Sequence, residues 1–480
     1  MQELHRLSAR AAAASGTLCS EGISPREDTR LHLGPVKYQH INQRYTGEGR
    51  RTDGDQLQSE VARFGFAPGT EEAWDSLATI PPALVFIAPA HDTVPSPAGN
   101  AVYVLVEKLC AKLPYSCAIL ARWPAAGQPA VCELSSRILY YRRAMRPTLL
   151  ERHLPYRLKM FVWGHELLHQ VKYARAAAKV ARLLGAKLVV VEDTPAFCLA
   201  VRSSGGPGVR ILLHQHCDKP RMLYTPTWRR ITRAVDGMIF VAKQGRRIPE
   251  RKHGRLTVPS FVVYSGVDLD HYSPVKWGAD AGQIRTSLGI TPASKVLLYV
   301  GRLVPEKGIA EAVEAFNLAH LPGAHMVIVG SFDAIICRDE EYLNRLRKAA
   351  RDSSGRVHIV GTIPQDEVPA YYQASDAVIV PSIGPEGCPK VIFEALAMGR
   401  PVIASDRGGA WELLDAKRNA WLLQDPANPS VIAATLKAAF SSPERLKQMT
   451  EDILAVDRPK MCEKKMIEAF AGVVAPFLSG

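Results

Sequence analysis

The sequence contains no run of about 18 uncharged apolar residues, the length that a bilayer-spanning helix needs. Its nine cysteines form an odd, scattered set without a Cys-x-x-Cys pair, which argues against a disulfide framework and a zinc knuckle. Acidic residues are outnumbered, with 47 Asp or Glu against 60 Lys or Arg and a formal net charge of +13. These features predict a protein without transmembrane helices in a reducing cytosol. They favour phosphate-bearing molecules, an anionic membrane face or nucleic acid as partners.

The first 80 residues have little apolar periodicity and are rich in Arg, Gly, Ser and Thr. We expect them to form a largely disordered or loosely helical extension. No apolar core of a secretory signal is recognisable in them. The remaining 400 of the 480 residues suit two α/β domains of roughly 200 residues each.

Short apolar runs alternate with helical stretches in two successive cycles. The runs of the first cycle are residues 84–88, 187–191, 209–213, 237–241 and 261–263, and those of the second are residues 295–300, 326–329, 357–360, 377–380 and 401–404. This alternation predicts two Rossmann-like, doubly wound parallel sheets that face each other across a cleft. We assign residues 81–275 and 290–455 to the two domains. Residues 456–480 form a C-terminal helix that could cross back to the first domain.

The segment 381–399, PSIGPEGCPKVIFEALAMG, is the strongest functional signal. It lies between two apolar strands, and Pro389 and Gly399 suit the first turn and the end of a helix. The amino terminus of that helix would face the cleft and favour a phosphate there. Glu386 in the loop and Glu394 on the helix are then acceptors for sugar hydroxyls.

A second signal is the segment 301–308, GRLVPEKG, which follows the first strand of the second half. Departure of a nucleoside diphosphate builds negative charge on the leaving phosphate, and fixed cations stabilise that charge. Arg302 can bind a phosphate bidentately, and Lys307 adds a compact positive charge.

Together these segments resemble the family-4 retaining glycosyltransferases of the GT-B fold, whose hallmark is two glutamates separated by seven residues. The resemblance runs from about residue 83 to about residue 440. It implies that Glu386 holds the donor sugar, that Glu394 holds the ribose, and that no protein nucleophile, metal or cofactor takes part besides the nucleotide-sugar donor. The donor-binding residues that it implies are Gly301, Arg302, Lys307, Ile363, Gly387, Cys388 and Glu394.

One part of the motif departs from the family. Cys388 and Pro389 replace the aromatic-glycine pair that commonly follows the first glutamate. Because Pro389 cannot donate a backbone hydrogen bond, the identity of the donor cannot be copied from the commoner form.

The first half contributes a histidine at a strand end, as the family does near the reacting face of the sugar. His216 is the better match and is predicted to be catalytic together with Glu386, and His214 is the alternative. The loop 93–100 resembles the family's glycine loop for the acceptor and the phosphates, with Gly99 and Asn100 as candidate contacts. It has one glycine where two are common.

A competing motif is HELLH at residues 165–169, which matches the zinc-binding pattern HExxH. A zinc peptidase needs a third ligand, and Glu192 lies at a plausible distance along the chain. The apolar spacing after the motif instead favours a crossover helix packed on a sheet. The alternative functions are a zinc metallopeptidase that uses this motif and a GT-B scaffold that binds without turnover.

Between residues 142 and 187 there are eleven Lys or Arg residues and two Glu. Interleaved apolar side chains would let this segment rest on an anionic membrane, and a solvated face is the equal alternative. Nucleic acid is disfavoured because no recognition helix or RNA-binding motif appears. The resemblance implies a cytoplasmic, metal-independent, retaining hexosyltransferase that acts on a glycan or lipid-linked acceptor in cell-surface polysaccharide or glycolipid assembly. A peripheral position on the inner face of the membrane is an option.

Overall fold

The computed structural model describes residues 53–68, 70, 72–90, 94, 101–123, 134–143, 168–217, 219–330, 339–384 and 386–479. The predicted contacts Gly99 and Asn100, and His165 and Glu166 of the HELLH motif, lie outside these residues. Most of the segment 142–187 lies outside them as well. Among the described residues, no helix combines the length and the apolar character required to cross a membrane.

The strands are β1 Phe66–Pro68, β2 Leu84–Ile87, β3 Cys117–Arg122, β4 Ile138–Tyr141, β5 Leu188–Glu192, β6 Arg210–Gln215, β7 Gly237–Phe240, β8 Ser260–Val262, β9 Lys295–Val300, β10 Ala324–Val329, β11 Val357–Gly361, β12 Ala377–Val380, β13 Val402–Ser405 and β14 Ala420–Leu423. The α-helices are α1 Asp53–Arg63, α2 Glu72–Thr79, α3 Ala101–Lys112, α4 Leu168–Leu183, α5 Phe197–Ser204, α6 Lys219–Met222, α7 Thr225–Ala234, α8 Lys243–His253, α9 Gly278–Ser287, α10 Ile309–Ala319, α11 Glu340–Arg351, α12 Val368–Ala374, α13 Lys390–Ala397, α14 Pro429–Phe440, α15 Pro443–Asp452 and α16 Glu463–Leu478.

The first sheet has eight strands in the order β1-β4-β3-β2-β5-β6-β7-β8. All neighbours are parallel except β1, which pairs antiparallel with β4 at the edge. Both faces are covered: Val85 and Ile87 point into one core cluster, and Leu84 and Phe86 point into another. Burial on both faces explains why these strands are continuous apolar runs rather than alternating ones.

The second sheet has six parallel strands in the order β11-β10-β9-β12-β13-β14. From β9 the chain adds β10 and β11 on one side of the sheet. It then returns to the other side and adds β12, which pairs with β9, followed by β13 and β14. A crevice opens at the carboxyl ends of the strands at such a reversal. The loops 301–308 and 381–389 follow these two strands, so the topology brings the two predicted donor segments together.

The C-terminal helix α16 packs on the first sheet. Phe470 is 1% exposed, and its ring lies 6.2 Å from that of Phe86 in β2. The buried carboxylate of Glu463 pairs with Lys108 at 2.6 Å and with Lys112 at 2.8 Å, both on α3. The end of the chain is therefore part of the first domain's core.

The expectation of a disordered or loosely helical extension over residues 1–80 is wrong for residues 53–79. These residues form α1, β1 and α2, and their apolar side chains enter the core: Val61 is 0% and Leu77 is 1% exposed. Each element is too short to give a clear periodic pattern alone, and contacts with the sheet stabilise them. The apolar runs also did not predict β3, β4 and β14.

We expect Phe470→Ala to destabilise the first domain by about 3–5 kcal/mol, the usual cost of removing a buried phenyl ring. Urea denaturation followed by fluorescence measures the change, and Glu468→Ala, an exposed position on the same helix, is the control. Equal midpoints for the two variants would mean that the helix does not contribute to the core.

Candidate active site

Three loops of the second domain meet at the carboxyl edge of its sheet. The amides of Ile383 and Gly384 donate to the carbonyl of Glu306 at 3.0 and 2.9 Å, which joins the β12 loop to the β9 loop. The buried hydroxyl of Ser405 donates to the carbonyl of Ser382 at 2.7 Å, which joins the β12 loop to the end of β13. The loops therefore hold one another in place.

Glu386 lies in this group of loops and is held from two sides. Its carboxylate forms an ion pair with the ammonium of Lys307 and accepts a hydrogen bond from the hydroxyl of Ser382 at 2.7 Å. Arg302 is exposed in the adjoining turn, and its carbonyl accepts from the hydroxyl of Tyr299 at 2.7 Å. The structure thus brings together Glu386, Lys307 and the turn that begins at Gly301 and contains Arg302.

Glu394 lies deeper, on α13, and is 4% exposed. Tyr372 donates its hydroxyl to this carboxylate at 2.9 Å, and Lys390 lies 3.6 Å away. Burial and the nearby Glu394 carboxylate raise the pKa of both Tyr272 and Tyr372, so these hydroxyls remain protonated donors. Glu394 is consequently a fixed acceptor rather than a mobile surface group.

The departure at Cys388 and Pro389 has a local explanation. Pro389 lies just before α13, where a missing N–H leaves no helical hydrogen bond unmade. Burial, with added repulsion from Glu412 and Glu386, raises the pKa of the Cys388 thiol, which is therefore neutral. Ile363 follows β11 at the same edge of the sheet and is half-buried against the core beneath.

Glycines allow the loop after β12, residues 381–389, to lie directly against its neighbours. A side chain at Gly387 would collide with the carbonyl of His216 in the first domain. Gly408 has φ +61°, and a side chain there would collide with the carbonyl of Glu386. The amide of Gly409 donates to the carbonyl of Gly387 at 2.7 Å. The backbone of the loop after β12 therefore lies directly against the carboxyl end of β6, where His216 is located.

On the first domain, two histidines share one buried carboxylate. Glu192 ends β5, and its Oε2 lies 2.7 Å from Nε2 of His216 and 3.1 Å from Nδ1 of His214. Burial opposes ionisation of Glu192, but the two imidazoles outweigh it and keep the pKa of this carboxyl below its ordinary value. Burial also lowers the pKa of His214, which is therefore neutral.

The protons on these imidazoles follow from the partner. A carboxylate only accepts, so His216 donates from Nε2 and His214 donates from Nδ1. The other nitrogen of His216, Nδ1, is then an acceptor when the ring is neutral. The ring of His214 lies 5.4 Å from that of Phe470 in the core, whereas the backbone carbonyl of His216 lies against Gly387.

Asp193 supports the same strand end. It has φ +46°, a conformation that few non-glycine residues adopt and that often marks functional sites. Its Oδ1 accepts from the backbone amides of His216 at 2.9 Å and Cys217 at 3.1 Å, and from the side-chain amide of Gln215 at 2.6 Å. The loop that carries His216 is therefore fixed by a second acidic residue.

The cluster of Glu192, His214 and His216 also has a composition that metal sites use, since one ligand atom from each lies within 4.8 Å of the others. As a hydrogen-bonded set it already has a carboxylate facing two N–H groups. A metal ion at this position would have to displace both protons. Glu192 thus faces these two histidines, whereas His165 and Glu166 of the zinc motif lie outside the described residues.

A second contact joins the domains at Glu412. Its carboxylate accepts from the backbone amides of Lys243 at 2.9 Å and Gln244 at 2.6 Å, at the amino terminus of α8. It also accepts from the hydroxyl of Tyr264 at 2.5 Å. Burial raises the pKa of that hydroxyl and Glu412 adds to the effect. A residue of the second domain therefore caps a helix of the first.

Sequence reasoning missed several of these residues. Glu192 entered only as a zinc ligand, and Asp193 and Tyr372 did not enter at all. Two consecutive acids directly after the run Val189–Val191 are a usable signal, because the carboxyl ends of parallel strands converge at one edge. The pairing of Glu412 with Tyr264 was not predicted either, because it requires the relative position of two domains.

Two Rossmann-like domains whose strand ends meet at one site define a GT-B protein. Residues 280–453 match the profile of the family described as "Glycosyl transferases group 1". The match covers most of the second domain. The narrower assignment to family 4 is compatible with the match and stays a prediction.

Curated relatives match part of this chain. The chain is 30% identical over 194 residues to "Spore coat protein SA" of Bacillus subtilis (strain 168), covering 39% of this chain and 51% of that protein. It is 30% identical over 165 residues to "Lipopolysaccharide 1,2-N-acetylglucosaminetransferase" of Salmonella typhimurium, covering 34% and 43%. The match thus spans about half the length of these curated relatives.

Among solved structures, sucrose-phosphate synthase from Thermosynechococcus elongatus superimposes with a TM-score of 0.65 at 20% sequence identity. The superposition covers 82% of this chain and 99% of that one. At this identity the likeness concerns the fold, and it extends over both domains.

Glu412→Ala should loosen the contact between the domains, because the first amides of α8 lose their acceptor. A lost helix cap costs about 1 kcal/mol. Hydrogen exchange should become faster in the peptide that begins α8. Glu444→Ala, an exposed position of the second domain, is the control. Unchanged exchange at Lys243 and Gln244 would show that water replaces this cap without cost.

Proposed function

We propose that the protein is a retaining glycosyltransferase that moves a hexosyl unit from a nucleoside-diphosphate sugar to an acceptor hydroxyl. The position of Glu386 supports the proposal most directly. Its carboxylate forms an ion pair with Lys307 and accepts a hydrogen bond from Ser382, and the next residue, Gly387, lies against the backbone carbonyl of His216. A carboxylate, a lysine and a histidine from facing strand ends suit a bound sugar diphosphate.

The cations have a defined task in this reaction. Breaking the bond between the sugar and the diphosphate builds charge on the leaving phosphate oxygens, and groups already oriented toward that charge stabilise it. Lys307 is paired with Glu386, and Arg302 is exposed in the same turn and can close on a phosphate. Glu386 neutralises Lys307 through their ion pair. A diphosphate would compete for the ammonium and release the carboxylate to sugar hydroxyls.

The histidine side of the site is arranged for contact with the sugar. With Glu192 ionised, His216 is held by a 2.7 Å hydrogen bond at Nε2. Its Nδ1 is then left to accept from a donor hydroxyl. No protein nucleophile is assigned. The acceptor hydroxyl would attack on the face that the diphosphate leaves, with the leaving phosphate taking its proton, and the anomeric configuration would be kept.

The remaining parts of the proposal concern the donor, the acceptor and the setting. A solved structure of similar fold is that of Anabaena Alr3699/HepE in complex with UDP, at 18% identity and a TM-score of 0.63. UDP-sugars are therefore the first donors to try. We propose a glycan or lipid-linked acceptor in cell-surface assembly, metal-independent transfer, and a cytoplasmic enzyme that can rest on an anionic membrane. Nucleic acid is not a proposed partner.

Calorimetry with UDP, GDP and ADP sugars, followed by donor hydrolysis or transfer, tests the function. We expect one nucleotide class to bind and to be turned over, and Glu386→Gln to lower kcat about 100-fold because an oriented acceptor is lost. Glu306→Gln, an exposed glutamate in the adjoining turn, is the matched control. NMR of the product reports whether the configuration is retained.

Other outcomes point to the alternatives. Donor binding without turnover in either the unaltered protein or Glu386→Gln would favour a GT-B scaffold. Peptidase activity abolished by EDTA would favour a zinc metallopeptidase that binds its metal through residues 165–169. Failure of all three nucleotide classes to bind would contradict the proposal itself.

We also predict that Glu192 positions His216. Glu192→Gln presents an amide that must donate to one imidazole, which exchanges the protonated nitrogen of that ring. We expect kcat to fall by about 10- to 100-fold, with the donor KM nearly unchanged. Glu367→Gln, exposed on the second domain, is the control, and retained nucleotide binding verifies folding. A change confined to KM would contradict the positioning role.

A further inference from the structure

A strongly basic surface lies on the first domain beside the active site. Residues 221–255 contain ten Lys or Arg residues and two acidic residues, Asp236 and Glu250. Asp236 is already paired with Arg202 at 2.5 Å and accepts from the amide of Ile211. The excess positive charge of this segment is therefore not balanced within it.

Helix α7 directs its cations outward. Arg229, Arg230 and Arg233 are exposed, whereas Trp228 and Ile231 on the opposite face are 2% and 0% exposed. The spacing of three and four residues places the arginines on one side of the helix. The apolar side packs into the domain, so this cationic face is a surface of an anchored helix.

Helix α8 continues the surface. Lys243, Arg247 and Arg251 are exposed and spaced by four residues, which aligns them along one face. Arg247 and Arg251, with Arg255 beyond the helix, line an open cavity of about 540 Å³ whose other lining residue is Glu250. Three guanidinium groups around one cavity suit the phosphate of a lipid headgroup.

The two helices form one continuous region with α6. Lys252 donates to the carbonyl of Arg221 at 2.6 Å, which ties α8 to α6. The ring of His253 stacks on that of Trp228, with centroids 5.6 Å apart, which ties α8 to α7. We call the exposed side of this region, from Arg221 to Arg255, the α6–α8 surface.

Exposed apolar side chains border the same surface. Met222, the last residue of α6, is 54% exposed, and Tyr224, just before α7, is 40% exposed. Trp411 of the second domain is 39% exposed, and Arg247 lies over its ring at 5.9 Å. A merely solvated basic face explains the cations but not these side chains. Cations together with Met, Tyr and Trp are the composition of surfaces that enter the headgroup region of a bilayer.

We propose that the α6–α8 surface docks on a leaflet that contains anionic phospholipid. The arginines bind the lipid phosphates, and Met222 and Tyr224 enter the headgroup region. His216 is only a few residues before α6 in the chain, so the docked surface keeps the active site close to the membrane. The proposal concerns binding alone and can be tested without turnover.

The basic segment 142–187 is the natural comparison. Its described part carries Lys172, Arg175 and Lys179 on one exposed face of α4. With Arg143, Phe64, Tyr141 and Ala176, these three residues line a smaller cavity of about 240 Å³. Within the described residues, no large hydrophobic side chain of α4 is exposed. This face has comparable charge, and its described residues include no exposed large apolar side chain, so it provides a matched control.

Sedimentation with vesicles of phosphatidylcholine mixed with phosphatidylglycerol, and with phosphatidylcholine alone, tests the proposal on the full chain. We expect binding only to the anionic vesicles. The triple variant Arg247→Gln, Arg251→Gln, Arg255→Gln should bind about 100-fold more weakly, at about fivefold for each cation removed. The control Lys172→Gln, Arg175→Gln, Lys179→Gln should bind within a fewfold of the unaltered protein.

A second variant separates a membrane from a soluble polyanion. Met222→Ser with Tyr224→Ser should weaken vesicle binding at least about fivefold, because buried apolar area is lost, and should leave binding to heparin unchanged. Circular dichroism verifies that each variant is folded. The proposal is overturned if the triple variant at Arg247, Arg251 and Arg255 binds vesicles normally, or if only the control variant of α4 loses binding. It is also overturned if the protein binds heparin but not anionic vesicles.

Discussion

The contact of the Gly387 backbone with the carbonyl of His216 is the constraint on which the site depends. Two parallel sheets present their carboxyl ends to each other, and each contributes one loop. Any side chain at Gly387 would hold the loops apart. Because Glu386 immediately precedes this contact, its carboxylate is fixed relative to the first domain as well as to Lys307. The geometry of the site is therefore a property of the domain pair.

Charge in this site is arranged in two separate pairs rather than one network. On the second domain, Lys307 and Glu386 neutralise each other in a partly exposed position where a ligand can compete. On the first domain, Glu192 is fully buried and faces two imidazoles. A buried carboxylate cannot be exchanged for a ligand without leaving N–H groups unpaired. The first pair is thus suited to change on binding and the second to stay fixed.

The sequence predicted the alternation of strands and helices well, because strands buried on both faces appear as continuous apolar runs. It also predicted the segments around Glu386 and Lys307, since strand order places the loops after β9 and β12 at one edge. It did not predict α1, β1 and α2, whose few apolar residues are stabilised by tertiary contacts. Nor did it pair Glu192 with His216, since that requires the register of neighbouring strands, in which Glu192 lies opposite His214.

Helix α8 links the separate parts of the protein. Its amino terminus is capped by Glu412 of the second domain, and its exposed face carries Arg247 and Arg251. Arg247 also lies over Trp411, the residue before Glu412. A ligand shifts a conformational equilibrium only when it binds one state more tightly than the other. Because the α6–α8 surface gains Trp411 only while the domains are together, a membrane that contacts this side chain would favour the joined arrangement. The same helix would then couple the position on the leaflet to the closure of the donor site.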